Sequence, residues 1–517
     1  MKPCCWFKRN HEALKDLKIE INQQTTMGCS VVIVATAVAT LGGLVFGYEL
    51  GIISGALLQL QVQFQLSCVQ QEAVVSSLLV GAILASVIGG CLIDRHGRRA
   101  SIFLSNLLII GGSLILSVSI SFLMLISGRV MVGFGMCVSS MSCCIFVSEM
   151  VSPERRGLMV TLYEVGVTGG ILLAYAVNYV LSGAQDGWRY MFGLAVAPSL
   201  AQLVSIWVLP SQQTPFVQLL NEGEGNETQT NKKVYTITNL FQRQDNMRTR
   251  TVIGLGLVVF QQLTGQPNLL LYASTVFQSV GFESDASAMS ASLGLGTVKV
   301  IATLAAMMCA DKFGRRPLLI GGCSVMALGL MTIGFLSRHL EFEAVRRCGN
   351  DSVLPEIPNT TTSALGLNVT TLVDHTGNLN WIILFCMMVV VAAFSMSFGP
   401  MTWVVLSEIF PPDVRGRAFA FSSCFNWTAN LIVTFSFLNV IDVIGVTGTF
   451  LAYAVISITS VVFMYLLLPE TKGKALQDID RELRERRFPP REEFCSVFQR
   501  RQFSPRYQRV SWTSSVL

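Results

Sequence analysis

The chain has 517 residues, of which 51% are hydrophobic and 13% charged, with a formal net charge of +5. Ordinary soluble domains are about a quarter charged, so this apolar excess argues against a soluble fold and for a bilayer as solvent. The small positive balance comes with no basic patch interleaved with aromatics, which argues against nucleic acid as a partner.

The first segment, residues 1–27, is polar and charged and has no apolar core of a signal peptide, so no cleavable signal peptide is expected there. The apolar pattern begins just after Met27, which makes Met27 a candidate second start. Apolar runs then follow near 30–58, 72–93, 101–120, 122–147, 158–181 and 189–209. A second set lies near 251–278, 287–310, 317–337, 381–406, 418–440 and 446–468. About 20 apolar residues cross a bilayer as one helix, and a helix satisfies its own backbone hydrogen bonds there. Twelve transmembrane helices are therefore expected, in an all-α membrane protein. The run 122–147 is interrupted by Arg129 and several glycines.

Lys and Arg set the orientation. The joints Asp94-Arg95-His96-Gly97-Arg98-Arg99, Pro153-Glu154-Arg155-Arg156-Gly157, Asp311-Lys312-Phe313-Gly314-Arg315-Arg316 and Asp413-Val414-Arg415-Gly416-Arg417 should face the cytoplasm. The alternate joints 59–71 and 279–286 contain neither Lys nor Arg, and both termini then fall in the cytoplasm. The organisation expected is a first six-helix half over 28–210, a basic cytoplasmic linker over 211–250, a second half over 251–473, and a short charged tail over 474–517. The loop 338–380 should face outward or into a lumen. It holds three glycosylation sequons, at Asn350, Asn359 and Asn368, whereas the sequon at Asn226 lies in the linker.

The two Gly-Arg-Arg joints occupy matching places in the two halves, and Ser148-Glu149 followed by Arg155-Arg156-Gly157 returns as Ser407-Glu408 followed by Arg415-Gly416. Parallel six-helix repeats around a midplane site are a transporter architecture. The fourteen Cys are scattered without a zinc spacing, the four His lie outside the expected spans, and no Walker motif or nucleophile–base set appears. No metal, cofactor or enzymatic activity is expected.

A sugar offers hydroxyls that donate and accept, plus an apolar C–H face; amides and aromatic rings match both. Gln261, Gln262, Gln266 and Asn268 supply amides within two turns of span seven, where Pro267 should break the helix. Asn426 and Asn430, four apart, share a face of span eleven beside Trp427. Phe46 and Tyr48 are candidate cavity aromatics of span one. The plain alternative is that these side chains only hold helices together.

The ordered set of motifs resembles the sugar porters of the major facilitator superfamily over about residues 28 to 473. It comprises the two Gly-Arg-Arg joints, Gly128-Arg129, Glu154-Arg155-Arg156-Gly157, Gln261-Gln262-Leu263-Thr264-Gly265, Gly399-Pro400 with Trp403, Asn426-Trp427 with Asn430, and Pro469-Glu470-Thr471-Lys472-Gly473. The placement of the sequons is similar to the third class of facilitative glucose transporters. The resemblance implies the major facilitator fold, two six-helix pseudo-repeats that rock around one cavity. It implies facilitative hexose transport, with dehydroascorbate as a second substrate, in endomembranes as well as the cell surface, by a protein functional as a monomer.

The resemblance also assigns roles. Trp403 matches a gating, sugar-facing Trp. Glu164 and Lys299 stand at sugar-contacting positions that usually carry Gln and Asn, and Ser395 stands where a Glu is usual. Pro210 to Phe216 departs from the usual acidic-and-basic motif after span six. Asp94, Arg98, Arg99, Glu149, Arg155, Arg156, Asp311, Arg315, Arg316, Glu408, Arg415 and Arg417 resemble an ion-pair network between the halves that forms when the inner gate closes. Glu49 occupies the place of the Asp of proton-coupled sugar porters, with Arg129 of span four as its expected partner. The alternatives to a uniporter are therefore a proton-coupled symporter and a sugar sensor that does not transport.

Overall fold

The computed structural model describes residues 36–150, 156–208, 240–241, 244–279, 284–338, 369–474 and 476–485. Among them the regular elements are helical and no strand occurs. The helices are numbered here by span. In the first half they are α1 (Thr36–Phe64), α2 (Cys68–His96), α3 (Arg98–Ser117), α4 (Phe122–Met150), α5 (Arg156–Val180) and α6, in two pieces, Gly187–Gly193 and Val196–Val208.

The second half opens with α7, in three pieces: α7a (Met247–Leu263), α7b (Gln266–Leu271) and α7c (Ala273–Ser279). It continues with α8 (Asp285–Phe313), α9 (Arg315–Ser337), α10a (Val369–Met396), α10b (Phe398–Ile409), α11 (Pro412–Phe435) and α12 (Phe437–Leu467). A short α13 (Leu476–Glu485) follows. Nine segments are long and apolar enough to cross a bilayer among the described residues. The broken α7, α5 with Glu164 and Asn178, and α11 with Asn426 and Asn430 complete the twelve.

The halves repeat one packing scheme. α2 and α3 pack on α4 as α8 and α9 pack on α10a, and α3 meets α6 as α9 meets α12. The halves touch where α2 lies on α11 and α5 lies on α8, a pair of contacts that the same pseudo-symmetry relates. Lipid is as apolar as the helix surfaces, so association depends on close backbone approach at small residues. A Cβ on Gly47 of α1 would sit 1.8 Å from the Val167 carbonyl oxygen of α5, and one on Gly133 of α4 would sit 1.9 Å from the Leu78 carbonyl of α2. Large apolar side chains instead face outward, as at Trp207, Leu123 and Val443.

The repeated joint motif has a backbone cause. Gly97 and Gly314 both take positive φ, 80° and 95°, at the corners between α2 and α3 and between α8 and α9. Only glycine adopts that region freely.

Several boundaries differ from the apolar runs. Despite Arg129 and its glycines, α4 is one helix of 29 residues. α12 begins at Phe437 and is broken at Gly445 (φ 72°, ψ 169°), so the apolar run from 446 matches its second piece and a shorter piece carrying Asn439 and Asp442 precedes it. The beginning of the tail forms α13, whose Ile479 and Leu483 are buried and which packs on α10b. Cys68, at the start of α2, is disulfide-bonded, which suits the oxidising side of a membrane and the orientation read from Lys and Arg.

Candidate substrate cavity and its gates

α7 breaks one turn past its amide pair. The chain takes positive φ, 77°, at Gly265, where an added Cβ would lie 2.3 Å from the Tyr453 ring. Pro267 does not cause the break. It is within the first two residues of α7b, where its missing N–H costs no helical bond. α10 breaks at Ser397 (φ −113°, ψ −90°), two residues before the Gly399-Pro400 pair. Pro400 has no N–H to donate four residues back to Met396, so the helix ends there and restarts at Phe398.

These breaks bring the predicted amides together. Gln261 Nε2 donates to the Phe398 carbonyl at 2.9 Å, and Gln262 Nε2 donates to Asn426 Oδ1 at 2.6 Å. Asn268 Nδ2 donates to the Val433 carbonyl and the Tyr453 hydroxyl, at 3.1 and 3.0 Å. Asn430 Oδ1 accepts from Thr434 Oγ1 at 2.9 Å. Four amides of α7 nevertheless each keep a buried polar atom with no hydrogen-bond partner among the described residues: Gln261 Oε1, Gln262 Oε1, Gln266 Nε2 and Asn268 Oδ1. A buried amide atom costs about 1–3 kcal/mol if it stays unpaired, so four on one broken helix mark a polar site waiting for a partner.

Aromatic rings close round this region. Phe46 of α1 lies 6.0 Å from Trp427 of α11 and 6.5 Å from Tyr163 of α5. Trp403 of α10b packs at a tilt of 43° against Phe419 of α11, ring centres 5.1 Å apart. Tyr48 points away, donating to the Met191 carbonyl at 2.7 Å, and so ties α1 to α6. Glu164 of α5 and Lys299 of α8 lie within electrostatic reach of each other across the seam between the halves. The Lys299 ammonium stands 5.8 Å from the Phe394 ring centre.

Glu49 and Arg129 meet inside the first half. Both are fully buried, with Arg129 Nη1 3.9 Å from Glu49 Oε2 and 3.3 Å from the Glu49 carbonyl. Ser113 Oγ donates to Glu49 Oε1 at 3.0 Å. Glu49 Oε2 and Arg129 Nε and Nη2 have no hydrogen-bond partner among the described residues. The pair is thus close but only partly satisfied.

At the end of the bundle away from the Gly-Arg-Arg joints, hydrogen bonds join the two halves. Ser54 of α1 meets Ser274 of α7c at 3.0 Å, and the Tyr175 hydroxyl of α5 donates to the Leu270 carbonyl at 2.8 Å. Glu72 of α2 accepts from the first turn of α12. None of these residues was singled out in the sequence. Glu72 in the first turns of an apolar run reads as an ordinary interfacial charge, and serines carry no pattern.

At the end that carries the Gly-Arg-Arg joints, expected to be cytoplasmic, Arg315 pairs with Glu408 at 3.2 Å, but both belong to the second half. Glu470 accepts from the backbone N–H groups of Arg315 and Arg316, each at 3.2 Å, and so caps α9. Arg316 donates to the Tyr465 carbonyl at 2.6 Å, and Arg99 to the Ile206 carbonyl at 3.0 Å, near the C-terminal end of α6. Arg98 sits half-buried beside it, and Arg417 is exposed. The side chains of Asp94, Glu149, Arg155, Arg156, Asp311 and Arg415 lie outside the described residues, as do Asn350, Asn359 and Asn368. On α13, Asp480 holds the buried Arg250 of α7a at 2.7 Å.

Twelve helices in two pseudo-repeats, with broken helices presenting unpaired amides between them, define a membrane transporter of the major facilitator architecture. The chain matches the family described as sugar (and other) transporter over residues 35–344 and 360–483, and it belongs to that family. It is 60% identical to the zebrafish (Danio rerio) solute carrier family 2, facilitated glucose transporter member 10, over 95% of this chain and all of that protein. The human protein of the same name is 46% identical, over 87% and 93% of the two chains. Among solved structures, a D-xylose–proton symporter superposes with a TM-score of 0.67 at 28% identity, over 86% of this chain and 99% of that one. The inward open xylose transporter XylE from E. coli gives 0.66 at 27% identity, over 87% and 99%.

Proposed function

We propose that the protein carries a hexose-like sugar down its gradient by alternating access, as a monomer, with dehydroascorbate as a second substrate. The four unpaired amide atoms on α7 carry this reading. A pyranose hydroxyl both donates and accepts, so it satisfies Gln261 Oε1 or Gln262 Oε1 as well as Gln266 Nε2. Asn426, Asn430 and Trp427 on α11 and Trp403 on α10b complete the second-half wall, and Phe46 closes it from the first half. Glu164 and Lys299 replace neutral amides with opposite charges, which still donate and accept. The inner-end acidic and basic clusters are the bistable element, paired when the cavity faces outward and parted when it faces inward. The chain is a multi-pass membrane protein; its sites of residence on this reading are endomembranes and the cell surface, with the loop 338–380 outside or luminal.

Proton-coupled symport is kept as a second reading on one observation, the buried and incompletely paired Glu49–Arg129. A mid-bilayer carboxylate costs about 2.5–3.5 kcal/mol on insertion scales unless paired, so a change in that pair during the cycle would couple to a proton. Tracer hexose uptake into liposomes, with and without an imposed pH gradient, separates the readings. Saturable uptake indifferent to the gradient is uniport, gradient-driven accumulation is symport, and binding without uptake is a sensor.

A further inference from the structure

Glu72 is fully buried on α2, yet it makes no contact that the transport reading requires. Its Oε1 accepts from the backbone N–H of Leu438 at 2.7 Å and of Asn439 at 3.1 Å, and its Oε2 accepts from the Asn439 side-chain amide at 2.5 Å. Leu438 and Asn439 form the first turn of α12, in the other half of the protein. The first N–H groups of a helix have no partner within it, and Ser436, the residue ahead of α12, makes no side-chain cap. A carboxylate from one half therefore caps a helix of the other. Its negative charge also faces the positive end of the helix dipole.

We infer that Glu72 is a clasp that holds the outer ends of the two halves together and sets how readily the cavity opens to that side. The other described bonds of this kind between the halves are neutral: Ser54 to Ser274, and Tyr175 to the Leu270 carbonyl. Charge-assisted hydrogen bonds are about twice as strong as neutral ones, so Glu72 is the strongest member of this seam. The clasp is also reversible. On separation the carboxylate and the α12 amides both enter water and recover their solvation, whereas an apolar seal of equal strength would leave its surface exposed.

The inference rests on alternating access; its labelling arm reads conformation without sugar, so a failure of the clasp there is distinct from a failure of transport. In liposomes, a Ser54→Cys reporter in the outer seam is labelled from outside with a membrane-impermeant maleimide. Ser54→Cys keeps a donor for Ser274. Adding Glu72→Ala should raise the labelling rate by about tenfold or more, the worth of one or two charge-assisted bonds. Glu72→Gln, which keeps one acceptor oxygen, should fall between that variant and the parent. Independently, Glu72→Cys with Asn439→Cys, joined by a short bifunctional thiol reagent, should stop both labelling and hexose uptake, while each single variant treated alike stays active. Labelling of a correctly folded Glu72→Ala protein at the parent rate overturns the clasp. Undiminished uptake by the cross-linked pair overturns it too, and that arm decides alone if Glu72→Ala does not fold.

Discussion

Replacing Gln261 by Leu removes one amide while keeping its volume nearly constant. Gln261 is 5% exposed; its Nε2 holds the Phe398 carbonyl at the α10 break, and its Oε1 is unpaired. On the proposed reading the substitution leaves a sugar hydroxyl without its acceptor, at about 1–3 kcal/mol, or roughly 5- to 150-fold in apparent affinity. It also strips the Phe398 carbonyl of its donor, which loosens α7 against α10 whatever the substrate. A thermodynamic cycle separates the two effects. Uptake of glucose and of each monodeoxyglucose is measured for the parent and for Gln261→Leu in liposomes at equal protein. For the hydroxyl that Gln261 accepts, the deoxy sugar should be poorer than glucose in the parent and equal to it in the variant. The Phe398 effect lowers all sugars alike and cancels in the cycle. Additive losses for every deoxy sugar would refute the contact, and parent-like kinetics would refute the second-half cavity altogether.

Other consequences are more easily read. Under coupling, Glu49→Gln should abolish uptake driven by an imposed pH gradient yet leave equilibrium exchange running; parent uptake indifferent to the gradient from about pH 5.5 to 7.5 would leave Glu49–Arg129 as a bridge between two helices. Glycosidase should increase gel mobility, and Asn350→Gln, Asn359→Gln and Asn368→Gln together should abolish that change; glycan on Asn226 would invert the orientation. Gly47→Val should lower thermal stability or prevent folding, because its Cβ would overlap the Val167 carbonyl, with overpacking costing about 1–3 kcal/mol or more. Gly90→Ala on α2, where a Cβ meets nothing within 4 Å, should be neutral in the same melting assay.

How far the sequence reached depends on the kind of signal. Long apolar runs and the duplicated Gly-Arg-Arg joints predict twelve spans in two halves, and the helices and their repeated packing follow that plan. Periodic amides on α7 and α11 were legible because polar residues are rare in apolar surroundings. The causes of the breaks were less so. Pro267 was the visible candidate, but Gly265 makes the turn, since a proline near a helix start is harmless and a positive φ is not written in composition. Arg129 interrupts the apolar run of α4 but not the helix; its pairing with Glu49, 80 positions earlier, was expected only through the family resemblance, since spacing alone gives no distance between them. Glu72 escaped for a similar reason. Its partners lie 366 and 367 positions away, and two of the three bonds go to backbone N–H groups, which every sequence supplies. The disulfide at Cys68 was hidden among thirteen other cysteines that mostly sit in apolar runs.

The central claim is that one cavity is exposed to either side in turn, and counterflow tests it most directly. Liposomes holding the purified protein are loaded with unlabelled D-glucose, diluted into a trace of labelled D-glucose, and sampled over time. A carrier predicts transient accumulation of label above its external concentration, because returning cavities are kept occupied by unlabelled sugar. L-glucose should produce none. Label that only rises to the external concentration would indicate a pore, and label that never enters would indicate a binding protein; either result contradicts alternating access.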